Sequence, residues 1–220
     1  MTEANGLTLL EEHRAHGGRV MFYEHSSSVL GLPARFGVFL PPAAEQGGKV
    51  PVVYALAGLT CTQETFLIKA TALAEAARLG VALVTPDTSP RGAGIEGEDT
   101  DWDLGTGAGF YLDATRQPWA QHYRMGSYIA QELPLLVESA LPLDGARRGI
   151  MGHSMGGHGA LVHGLQAPLF WKSISAFAPL VHPAVVPWGK KASPTSLGAD
   201  PAGCAAPDAA VRPEQVYTPP

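Results

Sequence analysis

The stretch Arg148-Gly149-Ile150-Met151-Gly152-His153-Ser154-Met155-Gly156-Gly157 decides the fold. An apolar segment at 148–152 predicts a strand, and helical spacing resumes over 155–166. Between them lies the pattern G-x-S-x-G at 152–156, which a chain this rich in glycine contains by chance roughly once in six or seven sequences. Strand, sharp turn and helix in this order form a nucleophile elbow, which exposes the serine hydroxyl. We therefore predict Ser154 as a nucleophile; an incidental serine at a glycine-rich helix start is the alternative.

Strands and helices alternate on both sides of this elbow. Strands are predicted at 19–24, 34–40, 50–57, 81–85, 148–152 and 173–177, and helices at 66–79, 125–140 and 155–166. This order predicts an α/β fold with a mostly parallel, doubly wound sheet and antiparallel N-terminal strands. The segment from residue 86 to 119 shows no period, and a loop of that length in a compact domain is usually functional.

Composition excludes several classes of function. The 220 residues carry 15 Lys plus Arg against 20 Asp plus Glu, a net charge of −5, so we expect no nucleic-acid partner. No apolar run is long enough to span a bilayer, and we expect no membrane partner. Only two cysteines are present and no secretory leader is evident, which favours a cytoplasmic location. The sequence leaves a homodimer open.

Acyl transfer also needs donors for the oxyanion of the tetrahedral intermediate. The N–H of Met155 lies directly after the nucleophile, at the start of a helix, where it has no partner within that helix. We expect a second N–H from Leu59, in the turn Gly58-Leu59-Thr60 that follows the buried strand at 50–57. By itself, Gly58-Leu59 is more typical of a plain turn at the end of a strand.

Seven motifs stand out along the chain: GLTCT at 58–62, PDTSPRG at 86–92, GAGFYLDAT at 107–115, YRM at 123–125, GHSMGGHGA at 152–160, SAFAP at 175–179 and PWG at 187–189. Together they give the chain, from about residue 17 to about residue 192, a resemblance to S-formylglutathione hydrolase, the esterase D group of the α/β-hydrolases. It implies a serine thioesterase that hydrolyses S-formylglutathione to glutathione and formate in formaldehyde detoxification. It implies no cofactor, and a small-molecule substrate.

The resemblance also assigns residues to the site. It implies Ser154 as the catalytic nucleophile and Leu59 and Met155 as oxyanion donors. Cys61 and Trp188 match positions near the acyl and thiol pocket, and we place His153 in the pocket wall. Taken without the resemblance, Cys61 is more typical of a small buried apolar residue.

The sequence departs from the family after the elbow. An α/β-hydrolase places its acid and then its histidine on loops after two further strands, and neither is found in this chain. We therefore expect residues 1–192 to form an incomplete α/β-hydrolase domain without the C-terminal strands, and residues 193–220 to form a disordered tail rich in proline and alanine. Near-inactivity, low stability and exposed apolar residues around 173–177 are the expected consequences. A broad short-chain carboxylesterase and a catalytically impaired family member remain alternatives.

No metal site is predicted. Asp99, Asp101 and Asp103 copy the first ligand spacing of a calcium loop, but the glycine is one place late and residue 110 is phenylalanine. A solvated acidic loop is favoured. His153, His158 and His163 recur every five residues, which on a helix places them on different faces.

Overall fold

The computed structural model describes residues 2–4 and 6–181, and its centre is a mixed β-sheet. The order across the sheet is β1-β2-β3-β4-β6-β5-β7-β8. The strands are β1 (Thr2–Ala4), β2 (Leu7–Ala15), β3 (Gly18–Ser26), β4 (Pro33–Leu40), β5 (Val50–Leu56), β6 (Ala82–Pro86), β7 (Leu143–His153) and β8 (Ile174–Phe177). Strands β5 to β8 pair in parallel, and the neighbours from β1 to β6 pair antiparallel.

The helices join these strands. They are α1 (Thr65–Lys69), α2 (Leu73–Leu79), α3 (Met125–Ser127), α4 (Leu133–Ala140) and α5 (Met155–Gln166). A π-helical turn at Tyr128–Glu132 joins α3 to α4, and 3₁₀ turns occur at Pro42–Gln46 and Trp119–Gln121. The π turn has a local cause: Pro134 has no N–H, and the N–H of Leu133 instead donates to the carbonyl of Tyr128.

The predicted α/β fold is confirmed, and the structure corrects its details. The antiparallel part is larger than predicted, because β2 was not recognised in the polar sequence LTLLEEHRA. The single helix predicted at 66–79 is two helices, since Thr71 between them has a φ of +53°. Gly80 caps the second helix in the left-handed conformation.

The central strands bury apolar side chains on both faces, as near-continuous apolar runs predict. A large cluster on one face includes Phe36, Tyr54 and Ile129, and a smaller one on the other face includes Phe39 and Leu67. Strand β8 is different. It pairs with β7 alone among the described strands, and Phe177 is 54% exposed, which agrees with the expected exposure around 173–177.

Candidate active site

Ser154 lies on a strained turn between β7 and α5. Its φ of +57° and ψ of −118° are unfavourable for a residue with a side chain. The turn is held on both sides, because the N–H of Ser154 donates to Phe177 and its carbonyl accepts from His158 and Leu180. The serine is half-buried, so its hydroxyl is within reach of a ligand. This is the geometry that the elbow prediction required.

The glycines of the elbow are dictated by close backbone contacts. A Cβ on Gly152 would lie 2.0 Å from the carbonyl oxygen of Gly156. A Cβ on Gly156 would lie 2.0 Å from the carbonyl oxygen of Leu56, at the end of β5. Both distances are far below van der Waals contact. The atoms that would be met are backbone oxygens, which cannot rotate away as a side chain can. The G-x-S-x-G pattern is therefore a packing requirement of this turn.

The turn after β5 lies beside the nucleophile. The position of a Cβ on Gly58 is 3.5 Å from the Cβ of Ser154 and 3.6 Å from Nδ1 of His153. Leu59 follows in this turn, and Met155 begins α5. Neither the N–H of Leu59 nor that of Met155 has an acceptor among residues 6–181. The structure thus brings both predicted donor residues to the side of Ser154.

Backbone contacts hold this turn, which we call the oxyanion loop (residues 57–61). The N–H of Thr60 donates to the carbonyl of Gly107 over 3.0 Å, and the N–H of Cys61 donates to Gly58 over 3.3 Å. The carbonyl of Cys61 in turn accepts from Oγ1 of Thr88 at 2.5 Å and from Nη2 of Arg91 at 3.1 Å. Residues that follow β6 in the chain therefore hold the oxyanion loop in place.

Tyr111 also holds the oxyanion loop in place. Its hydroxyl donates to the carbonyl of Ala57 over 2.9 Å, and its side chain is fully buried. Burial, reinforced by the charge of Asp87, raises the pKa of Tyr111 well above its usual value, so the phenol remains a donor. The backbone carbonyl of Tyr111 is 2.9 Å from Nε2 of His163. Burial lowers the pKa of His163, which favours its neutral form.

Sequence reasoning missed the role of Tyr111, Thr88 and Arg91. All three lie in the aperiodic segment 86–119 that was predicted to be a functional loop, and in motifs that carried the resemblance. No spacing rule connects them to residue 57 or 61, so the only available signal was the motifs themselves.

The predicted pocket residues are Cys61, His153 and Trp188. Cys61 is a free, half-buried cysteine in the oxyanion loop. His153 is exposed at the end of β7, next to Gly58. Trp188 and the predicted tail at 193–220 lie outside the described residues, as does His182.

Comparison with known proteins gives consistent matches. An esterase family model matches residues 27–213. The S-formylglutathione hydrolase of Mus musculus is 49% identical over 194 residues, which cover 88% of this chain and 68% of the mouse protein. That of Paracoccus denitrificans is 50% identical over 191 residues, covering 87% and 68%. The structure of an S-formylglutathione hydrolase from Agrobacterium tumefaciens superimposes with a TM-score of 0.89 at 43% identity, covering 92% of this chain and 73% of that one.

The chain belongs to the S-formylglutathione hydrolase family. The family assignment agrees with the elbow, but the described residues do not supply a complete catalytic triad. Among residues 6–181, no histidine nitrogen or carboxylate is hydrogen-bonded to the hydroxyl of Ser154, and His25 and His163 bond elsewhere. Within the described residues, the hydroxyl of Ser154 therefore has no hydrogen-bonded base.

Within the described ranges, no three or more His, Cys, Asp or Glu side chains are grouped so that they could hold a metal ion. No helix in these ranges is both long and apolar enough to cross a bilayer.

Proposed function

We propose that this protein is a serine thioesterase that hydrolyses S-formylglutathione to glutathione and formate, the reaction implied by the names of its relatives. One observation carries the proposal. The strained Ser154 lies beside the turn after β5 and at the start of α5, and the N–H groups of Leu59 and Met155 in these two segments have no acceptor within residues 6–181. An accessible nucleophile beside two unpaired backbone donors is the arrangement that acyl transfer requires.

The reaction follows from this arrangement. The oxygen of Ser154 attacks the formyl carbon, and the negative charge that develops on the carbonyl oxygen is stabilised by the N–H groups of Leu59 and Met155. The dipole of α5 favours the same charge, because Met155 is the first residue of that helix. The C–S bond then breaks, the proton of Ser154 passes through a base to the thiolate, and a formyl ester remains on the serine. Water hydrolyses this ester to formate and restores the hydroxyl.

The oxyanion loop is built to act without rearranging. Contacts at Ala57, Thr60 and Cys61 fix its backbone before any substrate arrives. Prepositioned donors stabilise charge more effectively than donors that must reorient, and losing one costs about 10²- to 10³-fold in kcat. We assign Cys61, a half-buried residue of the oxyanion loop, to the pocket wall rather than to the chemistry.

A broad short-chain carboxylesterase is the second candidate, because the same oxyanion site accepts ordinary esters. The two are separated by kcat/KM for S-formylglutathione and for p-nitrophenyl acetate. We expect the thioester to be preferred by at least about tenfold, which corresponds to about 1.4 kcal/mol of transition-state binding.

The test of the proposal uses the full 220-residue chain. Turnover of S-formylglutathione, followed as release of free thiol, is compared in wild type, Ser154→Ala and the control Ser139→Ala, whose serine is exposed on α4. We expect Ser154→Ala to abolish both turnover and labelling by a fluorophosphonate, and the control to retain both. Labelling at another serine, or turnover that survives Ser154→Ala, contradicts the assignment.

The absolute rate tests the impaired-member alternative. Without a base for Ser154, residual catalysis of roughly 10³- to 10⁴-fold over water is expected. A turnover of about 1 per second or more is in the range of ordinary enzymes. It would require a base outside the described residues, and His182 is the first residue to replace in that case.

We also propose a cytoplasmic location, a role in formaldehyde detoxification and a homodimer. The free thiol of Cys61 at the site favours a reducing compartment. The outer edge of β8 has no partner among the described strands and Phe177 on it is exposed, so two copies can pair strands there. Sedimentation of the purified chain measures the oligomeric state directly.

A further inference from the structure

A cavity of about 470 Å³ opens at the same edge of the sheet as Ser154. Asp87 in its wall directly follows β6, and residues 33–35 begin β4, which runs antiparallel to β6. Glu24, near the end of β3, lies at the same edge because it pairs with Arg35. Ligands of α/β proteins bind at this edge of the sheet, and the volume is in the range of small-molecule sites.

The wall of this cavity carries both signs of charge. Arg91 pairs with the buried Asp87, through Nε at 3.0 Å and Nη2 at 2.5 Å. Arg35 pairs with Glu24 through Nε at 2.8 Å. Within residues 6–181, Nη1 of Arg91 and both terminal nitrogens of Arg35 have no acceptor. Glu64 is exposed, and its carboxylate accepts from Gln63.

The cavity is also at a defined distance from the nucleophile. Strand β5 separates β6, below the cavity, from β7, which ends next to Ser154. These two strand spacings amount to about 10 Å, and Arg35 on β4 lies one spacing further from β7. Cys61 and Thr62 form the wall between the two places, since Arg91 donates to the carbonyl of Cys61 and Thr62 lines the cavity. A tripeptide spans about 10 Å when extended, so one molecule can reach both.

We propose that this cavity binds the free amino-acid end, ammonium and carboxylate together, of a peptide thioester whose acyl group lies at Ser154. This inference rests on the proposed function. For S-formylglutathione the end in question is the γ-glutamyl group, the only part that carries both charges on one carbon. Its carboxylate accepts from Arg35 and Arg91, and its ammonium donates to Glu64.

The charges in the cavity wall favour the γ-glutamyl group over two alternatives, the glycyl end of the tripeptide and a long acyl chain. The glycyl end of the same tripeptide carries a carboxylate alone, which can pair with Arg35 and Arg91 but leaves Glu64 without a cation. A long acyl chain would cover Asp87 and Arg91 without replacing the water that solvates their free lone pairs and N–H groups. A zwitterion satisfies both signs.

The experiment measures binding rather than turnover. S-methylglutathione, which cannot be hydrolysed, is titrated calorimetrically into the full chain, and so is its N-acetyl derivative, which lacks the ammonium. Arg35→Ala should weaken binding of S-methylglutathione about tenfold, because one charge-assisted contact is lost. The control Arg78→Ala, an exposed arginine of α2 that pairs with Glu75, should bind as wild type does.

Glu64→Gln supplies the sharper test. Wild type should bind the N-acetyl derivative about tenfold more weakly than S-methylglutathione, whereas Glu64→Gln should bind the two with equal affinity. Equal affinity of wild type for both ligands, or no change on replacing Arg35, overturns the assignment of the cavity. Both variants alter half-exposed or exposed side chains, so their folding is not at risk.

The outcome separates this inference from the proposed function. If wild type hydrolyses S-formylglutathione and S-formyl-N-acetylcysteamine with equal kcat/KM, the thioesterase stands and the cavity assignment fails. If S-methylglutathione binds through Arg35 and Glu64 but no thioester is hydrolysed, the cavity assignment stands and the proposed function fails.

Discussion

Replacing Gly156 by alanine should separate α5 from the sheet. Gly156 is the second residue of α5, where the helix passes closest to the end of β5. An added Cβ would lie 2.0 Å from the carbonyl oxygen of Leu56 and 2.6 Å from that of Ala57. Both oxygens belong to backbone that is fixed by neighbouring strands and by Tyr111. The helix, with Ser154 at its start, must therefore move.

The size of the effect follows from these distances. Real Cβ contacts essentially never fall below 3.0 Å, so the helix must retreat by about 1 Å. Overpacking a well-packed site costs about 3 kcal/mol at the upper end, and alanine recovers at most about 1 kcal/mol of helix propensity. The net loss is about 2 kcal/mol in the free energy of unfolding, or about 4–8 °C in Tm. A 1 Å displacement of Ser154 should also slow its reaction with a fluorophosphonate about 100-fold.

Chemical denaturation and the rate of fluorophosphonate labelling measure the two effects. The matched control is Gly48→Ala, because a Cβ at Gly48 meets no atom within 4 Å. We expect the control to change stability by less than about 1 kcal/mol and to leave labelling unchanged. If Gly156→Ala unfolds and labels as the control does, the contact with Leu56 is not limiting and the steric account of the elbow is wrong.

Three other substitutions test separate parts of the structure. Tyr111→Phe removes the donor to Ala57 and should cost about 1–2 kcal/mol in urea unfolding and slow labelling of Ser154; unchanged labelling would mean that the oxyanion loop does not need this contact. Burial raises the pKa of Glu132, but hydrogen bonds from the 27–29 loop outweigh it and leave the pKa below its ordinary value. Because the folded-state pKa is the lower one, this carboxylate contributes stability above about pH 4.5 that is lost as pH falls through the folded pKa. In Glu132→Gln the free energy of unfolding should therefore fall less steeply as pH drops below about 4.5, and an unchanged slope contradicts the assignment. Phe177→Lys on β8, whose outer edge has no partner among the described strands, should reduce light scattering on heating; unchanged scattering would contradict a role of this edge in aggregation.

The parallel half of the fold was predictable because its signals are local. Buried strands such as β5 and β6 are near-continuous apolar runs, and α5 keeps one helical period. Strand β2 escaped prediction because much of it is solvent-exposed and its sequence is polar. The break between α1 and α2 also escaped, since apolar spacing continues through Thr71 although its backbone does not.

The sequence by itself determined the elbow. A Cβ on Gly152 would meet the backbone of Gly156, so this steric demand lies within five neighbouring residues, whereas the demand on Gly156 comes from Leu56 on β5. Only the tertiary structure decided what surrounds Ser154. Tyr111 reaches Ala57, and Arg91 reaches Cys61, across separations of 54 and 30 residues. Such contacts arise because the carboxyl ends of neighbouring parallel strands meet at one edge of the sheet, and the loop that crosses this edge has no period from which its path could be inferred.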